Sequence, residues 1–229
     1  MEANFAGIKS GLVRLVIYGA LIFGVAEFIR WDAMLVHGQE SKFGEDSYTE
    51  LGQSVLLLIA AGIYISVFAR YKQFKALAFF LFSFSTASFI REQDSFLDDH
   101  IFDGAWQAGV FSLFAFMVYY LWRHRYQFLH NIALFVHTQA FGVFITGFLT
   151  TYVFSRLYGR GKFWQEIMED RYFRAVKNAS EECTELFGYT ILAIAAVEFF
   201  LFVKRQAKAL PTGSSYGKIT KPSAATILQ

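Results

Sequence analysis

The chain has 229 residues, 55% of them hydrophobic and 19% aromatic, with 17% charged, 2 prolines and a formal net charge of +2; its mean hydropathy is +0.36. So small a net charge excludes a basic nucleic-acid face, and a single cysteine, Cys183, excludes an internal disulfide or a cysteine zinc cage. Soluble domains also reach about half apolar residues, so the class is decided by distribution: the apolar residues fall in long blocks, and about 20 mostly apolar residues cross the hydrocarbon core as helix.

The first block, 11–29, follows Lys9 and runs through Arg14 to Phe28 and Ile29 without a small-residue cleavage site, the pattern of a retained signal anchor. Gly7 and Gly11 have GxxxG spacing but precede it. The segment 31–50 is acidic, with Asp32, Glu40, Glu45, Asp46 and Glu50 against Lys42. A second block, 51–69, ends in Arg70, Lys72 and Lys75 with no acid.

The third block, 76–91, is the shortest: Ala76 to Ile90 covers about 22 Å at about 1.5 Å per residue, which falls short of the bilayer unless Lys75 and Arg91 snorkel outward. A re-entrant segment is the competing topology. The next segment, 92–103, carries Glu92, Asp94, Asp98, Asp99 and Asp103 and no Lys or Arg.

The fourth block, 105–122, is followed by Arg123 and Arg125, and the fifth, 130–154, places His137 well inside a helix. The connection 155–182 mixes charges: Arg156, Arg160, Lys162, Arg171, Arg174 and Lys177 face Glu166, Glu169, Asp170, Glu181 and Glu182. Within it Trp164, Met168, Tyr172, Ala175 and Ala179 recur at three- and four-residue steps, which predicts an amphipathic helix lying in the interface. The sixth block, 184–203, leads into a basic segment rich in Pro, Gly and Ser, so 204–229 is expected to be a disordered tail.

The expected fold is therefore all-α: a polytopic transmembrane bundle of six spans over 1–203, with an interfacial amphipathic helix before the last span. Cytoplasmic loops collect Lys and Arg, which puts Arg70, Arg125 and the tail inside and the acidic loops outside. Both termini are then cytoplasmic, as in a multi-pass protein of a bacterial inner (plasma) membrane. Dropping the third span would put the basic loop at Arg123 and the basic tail outside, so six spans fit better. The mixed connection 155–182 is the one segment that departs from this scheme.

Chemistry is harder to read. His37, His100, His124 and His130 do not share the expected depth of His137, so no haem is expected, and zinc or di-iron histidine patterns are absent. His137 with Gln139 is a candidate proton relay or ligand pair, against the commoner role of a lone histidine bonding a neighbouring carbonyl. The denser constellation is acidic. Glu27, Glu50, Glu92, Asp94, Glu182 and Glu185 all reach the predicted outer boundary, Asp98 and Asp99 follow, and Arg91 is the sole base among them.

Acids favour helix N-termini, which accounts for Glu50, Glu182 and Glu185 but not for Glu27 and Glu92 at C-terminal ends. This predicts a ligand-binding pocket in which Arg91 is surrounded by Glu27, Glu50, Glu92 and Glu185. Its surplus negative charge calls for a proton or a cation. An oxygen-only metal set of Glu50, Asp94, Asp98, Glu182 and Glu185 would suit a divalent cation such as Mg²⁺, Ca²⁺ or Mn²⁺. At the other side, Arg14 and Glu198 are expected to form an ion pair between the first and last spans, because an unpaired intramembrane charge costs about 2.5–3.5 kcal/mol.

The expected function is binding of a cation, proton or small ligand in transport or sensing. A subunit or scaffold of a membrane complex is the alternative, and a metal-dependent hydrolase using the same carboxylates with His100 ranks third, so the balance leans away from an enzyme. The expected partners are the lipid bilayer and a membrane protein or second copy of the chain.

Overall fold

A computed structural model describes residues 2–35, 42–44 and 47–209, without the side chains of residues 2–4 and 6. Every regular element among the described residues is helical. In chain order these are α1 (Glu2–Met34), α2 (Tyr48–Arg70), α3 (Lys75–Glu92), α4 (Asp94–His100), α5 (Ala105–Arg123), α6 (Arg125–Phe135), α7 (Gln139–Leu149), α8 (Ser155–Tyr158), α9 (Gly161–Met168) and α10 (Arg174–Ala209). Six stretches are long and apolar enough to span a membrane: Gly7–Met34, Tyr48–Arg70, Lys72–Glu92, Ala105–Arg123, Gln139–Tyr158 and Arg174–Ala209. The chain is a multi-pass transmembrane helical bundle.

The third span has the length that the apolar block lacked. A 3₁₀ turn at Lys72–Phe74 runs directly into α3, so that Lys72–Glu92 makes 21 helical residues. Lys75 opens α3 with its Nζ 5.2 Å from the centroid of the Phe68 ring, a cation–π contact. Far from being re-entrant, α3 is central: Ala76, Leu77, Ala78 and Leu81 are fully buried.

The fifth span differs from its expected limits. Helix α6 stops at Phe135, and Thr138 caps a new helix, its Oγ1 accepting from Phe141 N at 3.2 Å. The stretch before the break is tied to the α2–α3 connection: Gln127 Nε2 donates to the Lys72 carbonyl at 2.8 Å, and Asn131 Nδ2 to the Gln73 carbonyl at 2.9 Å. Residues 130–135 therefore cover that connection, and the span runs from Gln139 to Tyr158.

The amphipathic segment is also divided. Trp164 and Met168 belong to α9, whose exposed apolar face includes Phe163 and Ile167. Glu169, at φ +48°, then ends the helix, and Ala175 and Ala179 belong to α10. A non-glycine residue in this left-handed region is uncommon, and no feature of the helical periodicity announces it. Helix α10 continues to Ala209, six residues beyond the expected end of the last span. The expected disorder of 210–229 lies outside the described residues.

Helices α2, α3 and α10 form the centre, with α7 packed against α10. One aromatic-rich core joins Tyr64, Phe74, Phe135, Phe199 and Phe202 to Leu77 and Leu81. Phe135 meets Phe199 edge-on, with ring centroids 5.5 Å apart. A smaller cluster of Leu57, Tyr189 and Leu192 lies nearer the other end. Helix α1 is peripheral: its most apolar stretch contains no buried residue, and it leans on α10 and α2.

Candidate functional site

The bundle has two chemically distinct ends. Arg70, Lys72, Arg123, Arg125, Lys204 and Arg205 mark one, here the basic end; Asp32, Glu50, Glu92, Asp98 and Glu182 mark the other, the acidic end. The candidate site lies at the acidic end, where α10 meets the fifth span at unusually close range. A Cβ on Gly147 would stand 3.1 Å from the Gly188 carbonyl oxygen and 2.9 Å from Leu192 Cγ. Glycines permit such backbone approach between membrane helices.

Just beyond this contact the fifth span changes winding. Residues Thr150–Phe154 form a π-helical turn, after which Ser155 opens α8. Such turns insert an extra residue into a helix and re-aim the side chains beyond it. Here Ser155 Oγ donates to Glu185 Oε1 at 3.1 Å, and Arg156 Nη2 pairs with the same oxygen at 2.8 Å. Arg156 Nη1 also reaches Glu181 Oε1 at 2.9 Å, and Lys177 Nζ pairs with Glu181 one turn back on α10.

Glu185 is only 2% exposed, and its second oxygen lies 3.5 Å from Arg91 Nη2. Arg91 is paired more closely with its sequence neighbour Glu92, whose Oε1 also accepts from Tyr189 OH at 2.7 Å. Arg91 Nε is buried and has no hydrogen-bond partner among the described residues. Tyr189 packs against Tyr152, which shares a 2.5 Å hydrogen bond with Ser88. An unbroken series of polar groups thus runs from Lys177 at the rim, through Glu181, Arg156, Glu185, Arg91 and Glu92, to Tyr189 in the interior.

The structure brings Arg91 together with Glu92 and Glu185, but Glu27 and His137 are placed elsewhere. Glu27 pairs on its own helix with Arg30, at 2.6 Å, because three residues is one turn and both project outward. Glu50 sits in the first turn of α2, where its amide donates to the Ser47 cap at 3.2 Å, and Arg91 has its ion pairs among the described residues with Glu92 and Glu185. His137 is corrected from a helix interior to the exposed turn between α6 and α7, at the basic end and so away from this cluster.

The expected metal set is not assembled either. Asp98 Oδ1 accepts from the amides of Gly104 and Ala105, both at 3.1 Å, and so holds the start of α5. Asp94 Oδ1 bonds the Ser95 amide at 2.8 Å, and Glu182 Oε2 accepts from Gln53 Nε2 at 2.8 Å. Asp94, Asp98, Glu182 and Glu185 each accept from N–H or O–H donors, and no group of three or more metal-ligating side chains occurs among the described residues.

Several members were not foreseen. Arg156 supplies the second base, and its signal was present: it belongs to the connection 155–182 whose positive charge disagreed with the loop-charge scheme. Asp32, expected as a solvated loop acid, is 4% exposed and accepts from Thr49 N at 2.9 Å and Thr49 Oγ1 at 2.6 Å, so the end of α1 caps the start of α2.

A second polar cluster lies toward the basic end. Arg14 Nε is 3.0 Å from Glu198 Oε1, and Tyr18 OH donates to the same oxygen. Arg14 Nη1 also donates to Gln139 Oε1 at 2.5 Å, which ties α1, α7 and α10 together. Glu198 is 1% exposed.

Fold and clusters define a multi-pass helical membrane protein with charged groups buried at both ends of its last span. No family model, curated protein or solved structure matches the chain, and its chemistry is argued from its own geometry.

Proposed function

We propose that this chain is a proton-responsive membrane protein, a transporter or sensor, whose working group is Glu185 in the acidic-end cluster. The observation that carries this reading is the continuous polar series from the half-exposed Arg156 and Lys177 to the buried Glu185, Glu92 and Tyr189. Burying ion pairs is a poor way to stabilise a fold, since well-packed apolar residues do as well or better. Intramembrane charges mark ion and proton pathways by default.

Charge favours a proton over a divalent cation. Arg91, Arg156 and Lys177 face Glu92, Glu181, Glu182 and Glu185, a formal excess of one carboxylate. Such an excess matches one proton, whereas the N–H and O–H donors already turned toward the carboxylates compete with a metal. Both termini are assigned to the cytoplasmic side of an inner membrane, with the cluster facing out, on the alternation of basic and acidic ends. Reporter fusions at Arg70, Arg125 and the C-terminus are expected inside, and those at Lys42, Asp99 and Lys162 outside; an external C-terminus rejects this orientation.

Infrared difference spectra of the reconstituted protein across a pH step test the reading. A carboxyl C=O band is expected to appear or vanish between about pH 5 and pH 9, the range spanned by perturbed carboxyls and beyond, and to be lost in Glu185→Gln. A spectrum identical in wild type and Glu185→Gln refutes it.

A further inference from the structure

Between α1 and α10 at the basic end lies a cavity of about 280 Å³ lined by Arg14, Leu201, Lys204, Arg205 and Lys208. Four of those five residues are cationic, and no carboxylate lines it. Positions 201, 204, 205 and 208 share one face of α10 because they recur at three and four residues. Lys204, Arg205 and Lys208 are exposed. Arg14 directs its Nε to Glu198 and one Nη1 proton to Gln139, which leaves its second Nη1 proton and both Nη2 protons as further donors.

The cavity does not end in polar surface. Toward the middle of the bundle the same face of α10 continues through Leu201 and Val197, which are 36% and 42% exposed. Alongside, α1 presents an apolar stretch with no buried residue. A cationic cup opening onto an exposed apolar groove matches an amphiphile with an anionic head. A free anion would use the cup and ignore the groove.

We propose that this cavity binds the phosphate head of an anionic phospholipid, with an acyl chain lying along Val197 and Leu201 between α1 and α10. The phosphate oxygens accept from Lys204, Arg205 and Lys208, and basic pockets between membrane helices are suited to such heads. The site is distinct from the carboxylate cluster at the acidic end.

Native mass spectrometry of the full chain in mild detergent tests this, with phosphatidylglycerol titrated against phosphatidylcholine of the same acyl chains. Wild type is expected to retain one phosphatidylglycerol with a preference of about tenfold or more, the scale of a few near-surface cations. The preference should fall to near unity in the triple variant Lys204→Gln, Arg205→Gln, Lys208→Gln and drop in the single variant Lys208→Glu. Circular dichroism checks that both variants keep the wild-type helix content; all three side chains are exposed, so both are expected to fold. The variant Arg123→Gln, Arg125→Gln, altered at the same end but outside the cavity, should keep the preference.

Inorganic phosphate at millimolar concentration should not displace the lipid. Displacement by inorganic phosphate would show a free-anion site and overturn the assignment. An unchanged preference in the triple variant overturns it as well, as does an equal loss in the Arg123, Arg125 variant, which would show diffuse surface attraction.

Discussion

Replacing Gly188 by alanine puts a methyl group where α10 and the fifth span touch. The new Cβ would lie 2.0 Å from Thr151 Oγ1, 3.0 Å from Thr151 N and 3.1 Å from Thr151 Cβ. The hydroxyl could swing away, but a threonine in a helix has few rotamers and the backbone nitrogen cannot move without its helix. Thr151 is fully buried, with no room to retreat. Such overpacking costs about 1–3 kcal/mol, while Gly→Ala gains about 1 kcal/mol of helix propensity.

The strain term offsets or outweighs the propensity term, so a net loss centred near about 1 kcal/mol, within about 0–2 kcal/mol, is expected from the difference of the two. Unfolding in mild detergent, by heat or by added denaturing detergent, measures it. Gly142→Ala serves as the control, because nothing lies within 4 Å of its Cβ; that variant should be unchanged or up to about 1 kcal/mol more stable. Adding Thr151→Ala to Gly188→Ala should restore part of the loss. Equal stability of the Gly188 and Gly142 variants would refute the close approach of the two helices and, with it, the placement of Arg156 over Glu185.

Other perturbations separate the ion pairs. Arg156→Ala removes the 2.8 Å partner of Glu185; breaking a buried pair costs about 3–5 kcal/mol, and the partial exposure of Arg156 lowers this to about 1–3 kcal/mol. Glu185→Gln in the same chain should recover part of that loss in an unfolding titration. Arg14→Ala strands Glu198, which is 1% exposed, and should cost more than Glu198→Gln. A double-mutant coupling of at least about 1 kcal/mol is expected for that pair, and strictly additive effects would show that it does not form. Asp32→Ala removes the acceptor of the Thr49 amide and hydroxyl and should cost about 1–2 kcal/mol, read as faster hydrogen exchange at the Thr49 amide; Asp32→Asn, which still accepts, should lose less.

What the sequence determined by itself is whatever depends on local composition. Six spans, their approximate limits and the alternation of acidic and basic ends come from hydropathy over about 20 residues and from which residues flank each block. Even the opposition of Arg14 and Glu198 was legible, since both lie at similar depth and a lone intramembrane charge is costly. Local signals also failed locally: the break before Gln139 and the left-handed Glu169 interrupt helices whose apolar periodicity continues across them.

The tertiary structure decided which acids meet which bases. Glu27 and Glu185 reach the same end of the bundle, yet Glu27 turns outward to Arg30 while Glu185 turns inward between Arg91 and Arg156. That choice depends on the rotation of each helix about its axis. Rotation is set by contacts far apart in the chain: Gly147 against Gly188 draws α7 and α10 together, and the π-helical turn at Thr150–Phe154 changes the phase of every residue after it. A one-residue change in winding turns a side chain by about 100°, since a helix has about 3.6 residues per turn. Depth in the membrane is therefore written in the local sequence, whereas facing direction exists only once the helices have packed.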